Sequence, residues 1–446
     1  MTGHSEEDTS QSMKGCRGEK RVSFPPDEEM VFDFVEIKTA LQEADCLTLT
    51  DIILAYKQNC EKHHVNPSPK ALDQLKVQWS ERLDYCSCES LEEILKSVQF
   101  DFISLQGAEL EENGASSLLD MFLYYESATH LDVSSNSGMG FSGWLSLSHL
   151  LRQSGCLWRL DACNMPMVDY AAQALSKALL TSRLTVLHLE NTCLSGKPLF
   201  TLVGALKRNA ALQELYISDN NLNGYQDSMQ LGDLLKYNST LRTLDLSNNT
   251  ISDTGLEEIC DALSIQKAGL RMLILSNNHI THHGLIHLHN VLPCLKTLET
   301  LNLGNNNLEN RGIHTLKESL MINHSLLQLG LASTGITCEG AVTLAEILAE
   351  NLQIQCLDVR HNQVLAGGLM ALSLALKINH SLIRLDLDQN LKEKEEFLIE
   401  TQKMLLSRIS DLCIVNAVAA KGTALQPAPP SPPNCSETTS QPHPNS

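Results

Sequence analysis

Aromatic and basic side chains are the scarce components of this chain: Phe, Trp and Tyr make up 4% of its 446 residues, and 33 Lys and Arg stand against 53 Asp and Glu. The formal charge of −20 leaves no basic surface for a phosphate backbone or an anionic bilayer, so neither nucleic acid nor membrane is expected as a partner. A basic or neutral protein surface suits it better. Long apolar runs are missing too: the longest stretch, around Gly367 to Ile378, is too short to span a bilayer and has helical periodicity. Met1 to Lys20 is polar and charged, without the apolar segment of a secretory leader. The expected setting is intracellular, cytoplasmic or nuclear.

Catalytic patterns are equally absent. The chain has no Gly-x-x-x-x-Gly-Lys-Ser/Thr loop, no His-Glu-x-x-His helix and no nucleophile elbow. No catalytic residue, no cofactor and no enzymatic activity are expected. Its 14 cysteines lack framework spacing, and those at repeat positions, such as Cys163, Cys193, Cys260, Cys338 and Cys356, are read as free thiols acting as small apolar side chains. Cys86 and Cys88 have no second pair at zinc-finger spacing. His283 and His287 stand four apart on a predicted helix, near His279, His282 and His289, but further ligands are not evident, so no metal is expected.

What the chain does have is a repeat. Eleven copies of a leucine-rich segment begin at Phe100, Ala128, Leu157, Leu184, Leu212, Leu241, Leu270, Leu298, Leu326, Ile354 and Leu382, in steps of 27 to 29 residues. That is the leucine-rich-repeat period. In the clearest copy, Leu241, Leu244 and Leu246 alternate as a short strand, Asn249 turns the chain, and Ile251, Leu256, Ile259 and Leu263 follow at helical spacing. One strand and one helix cannot bury their own apolar faces, so the copies must stack. The fold class is α/β, a leucine-rich-repeat solenoid of the ribonuclease-inhibitor-like horseshoe type, with helical caps and disordered termini.

Asn fills the turn position at 136, 220, 249, 278, 306, 362 and 390, where its amide can satisfy backbone groups left open at the strand ends. Ala108, Met165, Thr192 and Thr334 interrupt the column; Thr keeps a hydroxyl, whereas Ala and Met predict irregularity in the first and third copies. Gly255, Gly284, Gly312, Gly340 and Gly368 recur between turn and helix, where backbone freedom is expected to be useful. Asn238, Asn323 and Asn379 precede Ser or Thr by two residues at one repeat phase. That recurrence reflects the repeat and not glycosylation.

Five segments are expected: a flexible, acidic 1–44, a helical cap over 45–99, the solenoid over 100–391, a helical cap over 392–420 and a Pro/Ser-rich tail over 421–446. Within the first cap, a helix is predicted from Thr50, as N-cap, to Glu61, with Ile52, Ile53, Tyr56 and Cys60 on one face. A second runs through Leu72, Leu75 and Trp79, and a third from Glu89 to Val98. For the last cap the apolar stripe is Phe397, Leu398, Met404, Leu405, Ile409 and Leu412. On the inner face Asp132, Asp161, Asp245, Asp358 and Asp386 share a strand column with His188, Tyr216 and Asn302. Such a column suits a basic partner segment; alternatively the aspartates keep an open sheet soluble.

Ahead of the repeats stands Lys20-Arg21-Val22-Ser23-Phe24. In an extended peptide Val22 and Phe24 point the same way, so they can fill two apolar pockets while the backbone adds to a sheet edge. Lys20 and Arg21 add positive charge, and Val31 with Phe32 offers a second apolar pair downstream. Ser23, after two basic residues, is a candidate phosphorylation site.

The basic-Val-x-Phe pattern is similar to the docking motif of protein phosphatase 1 regulators. Combined with the capping helices and the 28-residue repeats, the chain closely resembles the leucine-rich-repeat regulatory subunits of that phosphatase. The match is carried by Arg21 to Phe24, Tyr124 to Leu131 (YYESATHL), Val186 to Asn191 (VLHLEN) and Gly368 to Lys377 (GLMALSLALK), and runs from about Arg21 to Ser407. Two departures are a shortened segment between Trp79 and Glu89 and a shorter C-terminal tail. The resemblance implies a non-catalytic subunit that binds the phosphatase catalytic subunit and inhibits it. A Ran-type GTPase-activating protein, which also uses a leucine-rich horseshoe, and a plain scaffold or ubiquitin-ligase adaptor are the alternatives.

Overall fold

The computed structural model describes residues 49–63, 65–67, 83–222, 224–266, 269–389 and 396–424. Within them, eleven strands form one parallel sheet in strict sequence order. They are β1 (Phe100–Ser104), β2 (Ala128–Asp132), β3 (Arg159–Asp161), β4 (Val186–His188), β5 (Glu214–Tyr216), β6 (Thr243–Asp245), β7 (Met272–Ile274), β8 (Thr300–Asn302), β9 (Gln328–Gly330), β10 (Cys356–Asp358) and β11 (Arg384–Asp386). Each strand is followed by a helix, such as Ser252–Ile265 after β6 and Cys338–Glu350 after β9. Adjacent strands are about 4.8 Å apart, whereas packed helices need about 8–10 Å, so the helical side is the longer and the strands line the inside of the curve. This is the leucine-rich-repeat solenoid that the period predicts.

The core is a single leucine-dominated seam. Leu241, Leu244 and Leu246 from the strand segment, with Ile251, Leu256, Ile259 and Leu263 from the turn and helix, are all buried, and the homologous positions of neighbouring copies continue the cluster.

Two asparagine ladders run along this seam. In the first, Asn249 donates to the carbonyls of Ile217 (3.1 Å) and Leu246 (2.9 Å) and accepts from the amides of Asn220 (3.0 Å) and Leu222 (3.1 Å). Asn136, Asn220, Asn306 and Asn362 repeat that pattern between their own and the preceding copy; Asn390 lies outside the described residues. The residue before each column position is left-handed, with φ of 52° to 60° at Ser135, Asn164, Asn191, Asp219, Asn248, Asn277, Asn305, Ser333 and His361. Asn tolerates that region better than other side chains with a Cβ, which accounts for the Asn-Asn pairs at 248–249, 277–278 and 305–306. The second ladder is Asn209, Asn238, Asn323, Asn351 and Asn379, whose amides close the carbonyl ends of the preceding helices at Leu179, Leu206, Leu292, Leu320 and Leu348. Asn238, Asn323 and Asn379 are buried, so the glycosylation-like triplets hold structural amides.

The column interruptions follow expectation at the threonines and depart from it at Met165. Thr192 and Thr334 do keep a hydroxyl partner, donating to Leu189 (2.9 Å) and Leu331 (2.8 Å) carbonyls. The effect of Met165, however, shows in the second copy and not the third. The side chain at 165 would accept amides of the copy before it; with Met there, the chain after Asn136 folds into a 3₁₀ turn at Ser137–Met139 and reaches its helix through Gly140 at φ 60°.

The recurrent glycines also serve a different purpose. Gly284 has φ −65°, ordinary helical backbone, so freedom is not needed. A Cβ would meet Asp253 Oδ1 at 2.4 Å there and Ser228 Oγ at 2.4 Å at Gly255; at Gly312, Gly340 and Gly368 the nearest neighbours lie at 2.7, 2.7 and 2.9 Å. Hydrogen is required because consecutive helices cross at close range.

At the N-terminal end a helix spans Leu49–Lys62, which places Thr50 in its first turn and not at its cap, and buries Tyr56 and Cys60. Leu72, Leu75 and Trp79 lie outside the described residues. The helix expected from Glu89 to Val98 is two pieces, Tyr85–Glu89 and Glu92–Ser97, the first capped by Asp84 accepting from the Ser87 amide at 2.8 Å. Asn59 donates to the carbonyls of Glu89 and Ser90 between them. The Tyr124–Leu131 segment ties this cap to the solenoid: Tyr125 donates to Glu92 (3.0 Å) and Ser127 to the Leu95 carbonyl (3.2 Å).

At the other end the helix spans Glu396–Ala424. Its buried stripe is Gln402, Leu405, Ile409, Cys413 and Asn416, while Phe397 and Met404, expected to be inside, are exposed. The register is fixed by Asn416, which donates to the carbonyls of Asn379 (3.1 Å) and Leu382 (2.9 Å) and so ends the second ladder with its own chemistry.

Candidate functional site

The sequence-derived docking residues Lys20, Arg21, Val22, Ser23 and Phe24, and the second pair Val31 and Phe32, lie outside the described residues. The feature with functional geometry among the described residues is the inner strand face. Strand register places Ser104, Asp132, Asp161, His188, Tyr216, Asp245, Ile274, Asn302, Gly330, Asp358 and Asp386 in one column, as strand alternation anticipates.

That column is not a line of free carboxylates. Arg159 clasps Asp161 (3.0 and 3.2 Å), Arg360 clasps Asp358 (2.9 and 2.7 Å) and Arg384 clasps Asp386 (3.0 and 2.8 Å). Each pair sits two residues apart: Arg159–Asp161 and Arg384–Asp386 share one strand face, and Arg360 reaches back to Asp358 from the turn after β10. The Asp245 carboxylate is engaged by its own turn through Ser247, and the largely buried Asp132 accepts from Ser104 Oγ (3.2 Å) and the Ser134 amide (2.9 Å). The acidic column is therefore interrupted: at the C-terminal end Asp358 and Asp386 are held by arginines while Asp388 lies beside His361, and β7 to β9 present Met272, Ile274, Thr300, Asn302, Gln328 and Gly330, all uncharged.

The first five copies differ. The His130 ring lies 4.3 Å from that of Phe102 and 6.2 Å from that of Trp158, and its Nε2 is 2.7 Å from Asp161. His188 stacks on Tyr216 (4.1 Å, 7°), its Nδ1 is 2.7 Å from Glu190, and Tyr216 donates to Glu214 at 2.9 Å. Burial works to raise the Asp161 carboxyl, but hydrogen bonds from His130 and Arg159 outweigh it and hold the group below the usual range. Glu190 is likewise depressed: burial opposes, His188 and Cys163 prevail. Burial, reinforced by Glu190 at 2.8 Å, pushes the Cys163 thiol up to about 12. Burial and the Glu214 carboxylate push the Tyr216 hydroxyl up to about 12. Lowered carboxyls and a raised thiol and phenol keep these groups in their ordinary protonation states near neutral pH, which does not suit a nucleophile or an acid/base pair.

The remaining candidates resolve simply. Cys260 is buried as a small apolar group, whereas Cys193, read the same way, is exposed at φ 56°. His283 sits in the turn before the helix Leu285–Val291 and not on it; its ring lies 4.0 Å from that of His282, and His287 reaches Glu257 only at 4.0 Å. Among the described residues, no group of three or more His, Cys, Asp and Glu is arranged to hold a metal ion, and no helix is long and apolar enough to cross a membrane.

Sheet order and period together define a leucine-rich-repeat solenoid. Residues 237–260 and 294–316 match the family described as Leucine Rich repeat. The chain is similar to Protein phosphatase 1 regulatory subunit 37 of Bos taurus, 49% identical over 255 residues that cover 54% of this chain and 36% of that protein. The Protein phosphatase 1 regulatory subunit 37 homolog of Caenorhabditis elegans is 35% identical over 276 residues, covering 57% of this chain and 29% of that protein. The chain thus spans about a third of the length of these curated relatives. Among solved structures, the leucine-rich repeat-containing protein LegL7 from Legionella pneumophila aligns with TM-score 0.45 and 17% identity over 70% of this chain and 98% of that one.

Proposed function

We propose that this chain is a non-catalytic regulatory subunit that binds the catalytic subunit of protein phosphatase 1 through Lys20-Arg21-Val22-Ser23-Phe24 and inhibits it. The observation that carries the reading is the 49% identity to a protein of that name, in a chain that also bears the docking pattern ahead of its repeats. Val22 and Phe24 would each contribute about 1.5–3 kcal/mol on burial, short of the roughly 8 kcal/mol of micromolar affinity. Backbone pairing, Lys20 and Arg21, and the downstream Val31 and Phe32 supply the rest. The eleven described cysteines are free thiols, in keeping with an intracellular, cytoplasmic or nuclear, setting. The inner strand face remains available for a second partner, a basic protein segment.

Affinity capture tests the docking step. The wild-type chain should retain the catalytic subunit and Val22→Ala/Phe24→Ala should lose it; equal retention by the double variant would remove the motif from the account. Phosphorylation of Ser23 places a dianion between two side chains that enter apolar pockets, and it should weaken docking. A phosphorylated Lys20–Phe32 peptide that binds as tightly as the unmodified one would refute that regulation.

A further inference from the structure

The inner face is polarised along the solenoid. In the first five copies Asp132, Asp161, Glu190 and Glu214 stand against one guanidinium, Arg159, whereas at the far end Asp358 and Asp386 each hold an arginine of their own and Asp388 lies beside His361. The same five copies gather aromatic rings in a chain where such rings are 4% of residues. Phe102 and Trp158 are each 44% exposed, large apolar surfaces at this end of the sheet. They flank His130, and the stacked His188–Tyr216 pair occupies the next two strands beyond Arg159 and Asp161.

We propose that this acidic-aromatic end of the inner face, from Phe102 to Tyr216, is the binding site for an extended basic segment of a partner protein. The inference rests on and deepens the reading of the inner face as a partner surface. Charge complementarity selects the occupant: excess carboxylate favours Lys and Arg, and aromatic faces accept the same cations while excluding water around them. Five strands at about 4.8 Å span about 19 Å, the length of about six extended residues. Such a segment crosses the strands, its cationic side chains reaching Glu190 and Glu214 and its apolar ones lying on Phe102 and Trp158. The hydrogen bonds that fix Asp161, Glu190 and Tyr216 mean the surface is organised before the partner arrives, which lowers the ordering cost of binding.

The probe is a fluorescein-labelled octapeptide of alternating arginine and leucine, with a control in which glutamate replaces arginine, titrated against the full chain and followed by anisotropy. The arginine peptide should bind and the glutamate peptide should not. Trp158→Ala, Tyr216→Ala and Glu190→Gln/Glu214→Gln should each weaken binding about tenfold, while Arg384→Ala at the far end leaves it unchanged. Circular dichroism checks that each variant is folded, and the half-buried Glu214→Gln serves alone if another is not. Equal binding of both peptides, or equal loss from Arg384→Ala, would overturn the site. Tighter peptide binding on Lys20→Glu/Arg21→Glu would assign the surface to the chain's own N-terminal segment and overturn the partner assignment. Val22→Ala/Phe24→Ala should leave peptide binding intact, so the phosphatase reading and this site fail independently.

Discussion

Asn249 tests how the solenoid is held. Its side chain is buried and makes hydrogen bonds to five backbone groups: the carbonyls of Ile217, Leu246 and Ser247 accept from it, and the amides of Asn220 and Leu222 donate to it. Asn249→Ala strands two buried amides at about 1–3 kcal/mol each, and the abandoned carbonyls add to that. The expected loss is about 3–5 kcal/mol, a large share of the roughly 5–15 kcal/mol that folded domains have. Asn249→Thr should lose about half as much, because Thr192 and Thr334 already show a hydroxyl holding the carbonyl three residues back. Urea titration followed by far-UV circular dichroism reads both: the alanine midpoint should fall by about 1–2 M for an m-value of about 2–3 kcal/mol/M, with threonine between. An alanine midpoint equal to wild type, or a threonine variant no better than alanine, would refute the ladder as a principal source of stability.

Other outcomes follow from the same geometry. Gly284→Ala should destabilise by about 1–3 kcal/mol, since Asp253 cannot yield while it accepts from Thr281, whereas Gly204→Ala, with nothing within 4 Å, should stabilise by about 0.5–1 kcal/mol; thermal melts separate them, and equal effects would defeat the close-crossing argument. The depressed carboxyls of Asp161 and Glu190 contribute stability present above their unfolded values near about 3.9 and 4.3 and lost as pH falls through the lower folded ones. The gap in urea midpoint between wild type and Asp161→Asn/Glu190→Gln should therefore close as pH drops below about 4; a gap constant from pH 7 to 2.5 would contradict the assignment. With its thiol at about 12, Cys163 is about one part in ten thousand thiolate at pH 8. It should alkylate with iodoacetamide more than about a hundredfold slower than an ordinary exposed thiol, and mass spectrometry showing it modified as fast as the exposed Cys193 and Cys294 would be inconsistent with the Glu190 contact.

The repeat was legible because apolar burial imposes spacing: Leu241, Leu244 and Leu246 can reach one side only as a strand, and Leu256, Ile259 and Leu263 only as a helix. The Asn column was legible for a related reason, since a strand end leaves open amides that a short polar side chain can fill. Contacts between copies were less so. Nothing local says that Gly284 faces Asp253, or that Met165 disturbs the copy before its own, because each depends on how consecutive units stack. The Phe397 and Met404 placements failed because several stripes fit one amphipathic helix, and Asn416 chose among them through tertiary hydrogen bonds. On the inner face, Asp161, Asp358 and Asp386 were read without their arginines although Arg-Leu-Asp at 159–161 and 384–386 carried the signal, since residues two apart on a strand share a face; Arg360 reaches Asp358 from the turn after its strand. The aromatic gathering at Phe102, His130, Trp158 and Tyr216 spans 115 residues of sequence and becomes visible only when strand register aligns them.

The proposed role turns on a single titration. Purified catalytic subunit of protein phosphatase 1, dephosphorylating a protein substrate, is mixed with increasing amounts of this chain, wild type against Val22→Ala/Phe24→Ala. The account predicts a saturable fall in activity with wild type and none with the double variant over the same range. Undiminished activity with wild type, or equal inhibition by both, would contradict it.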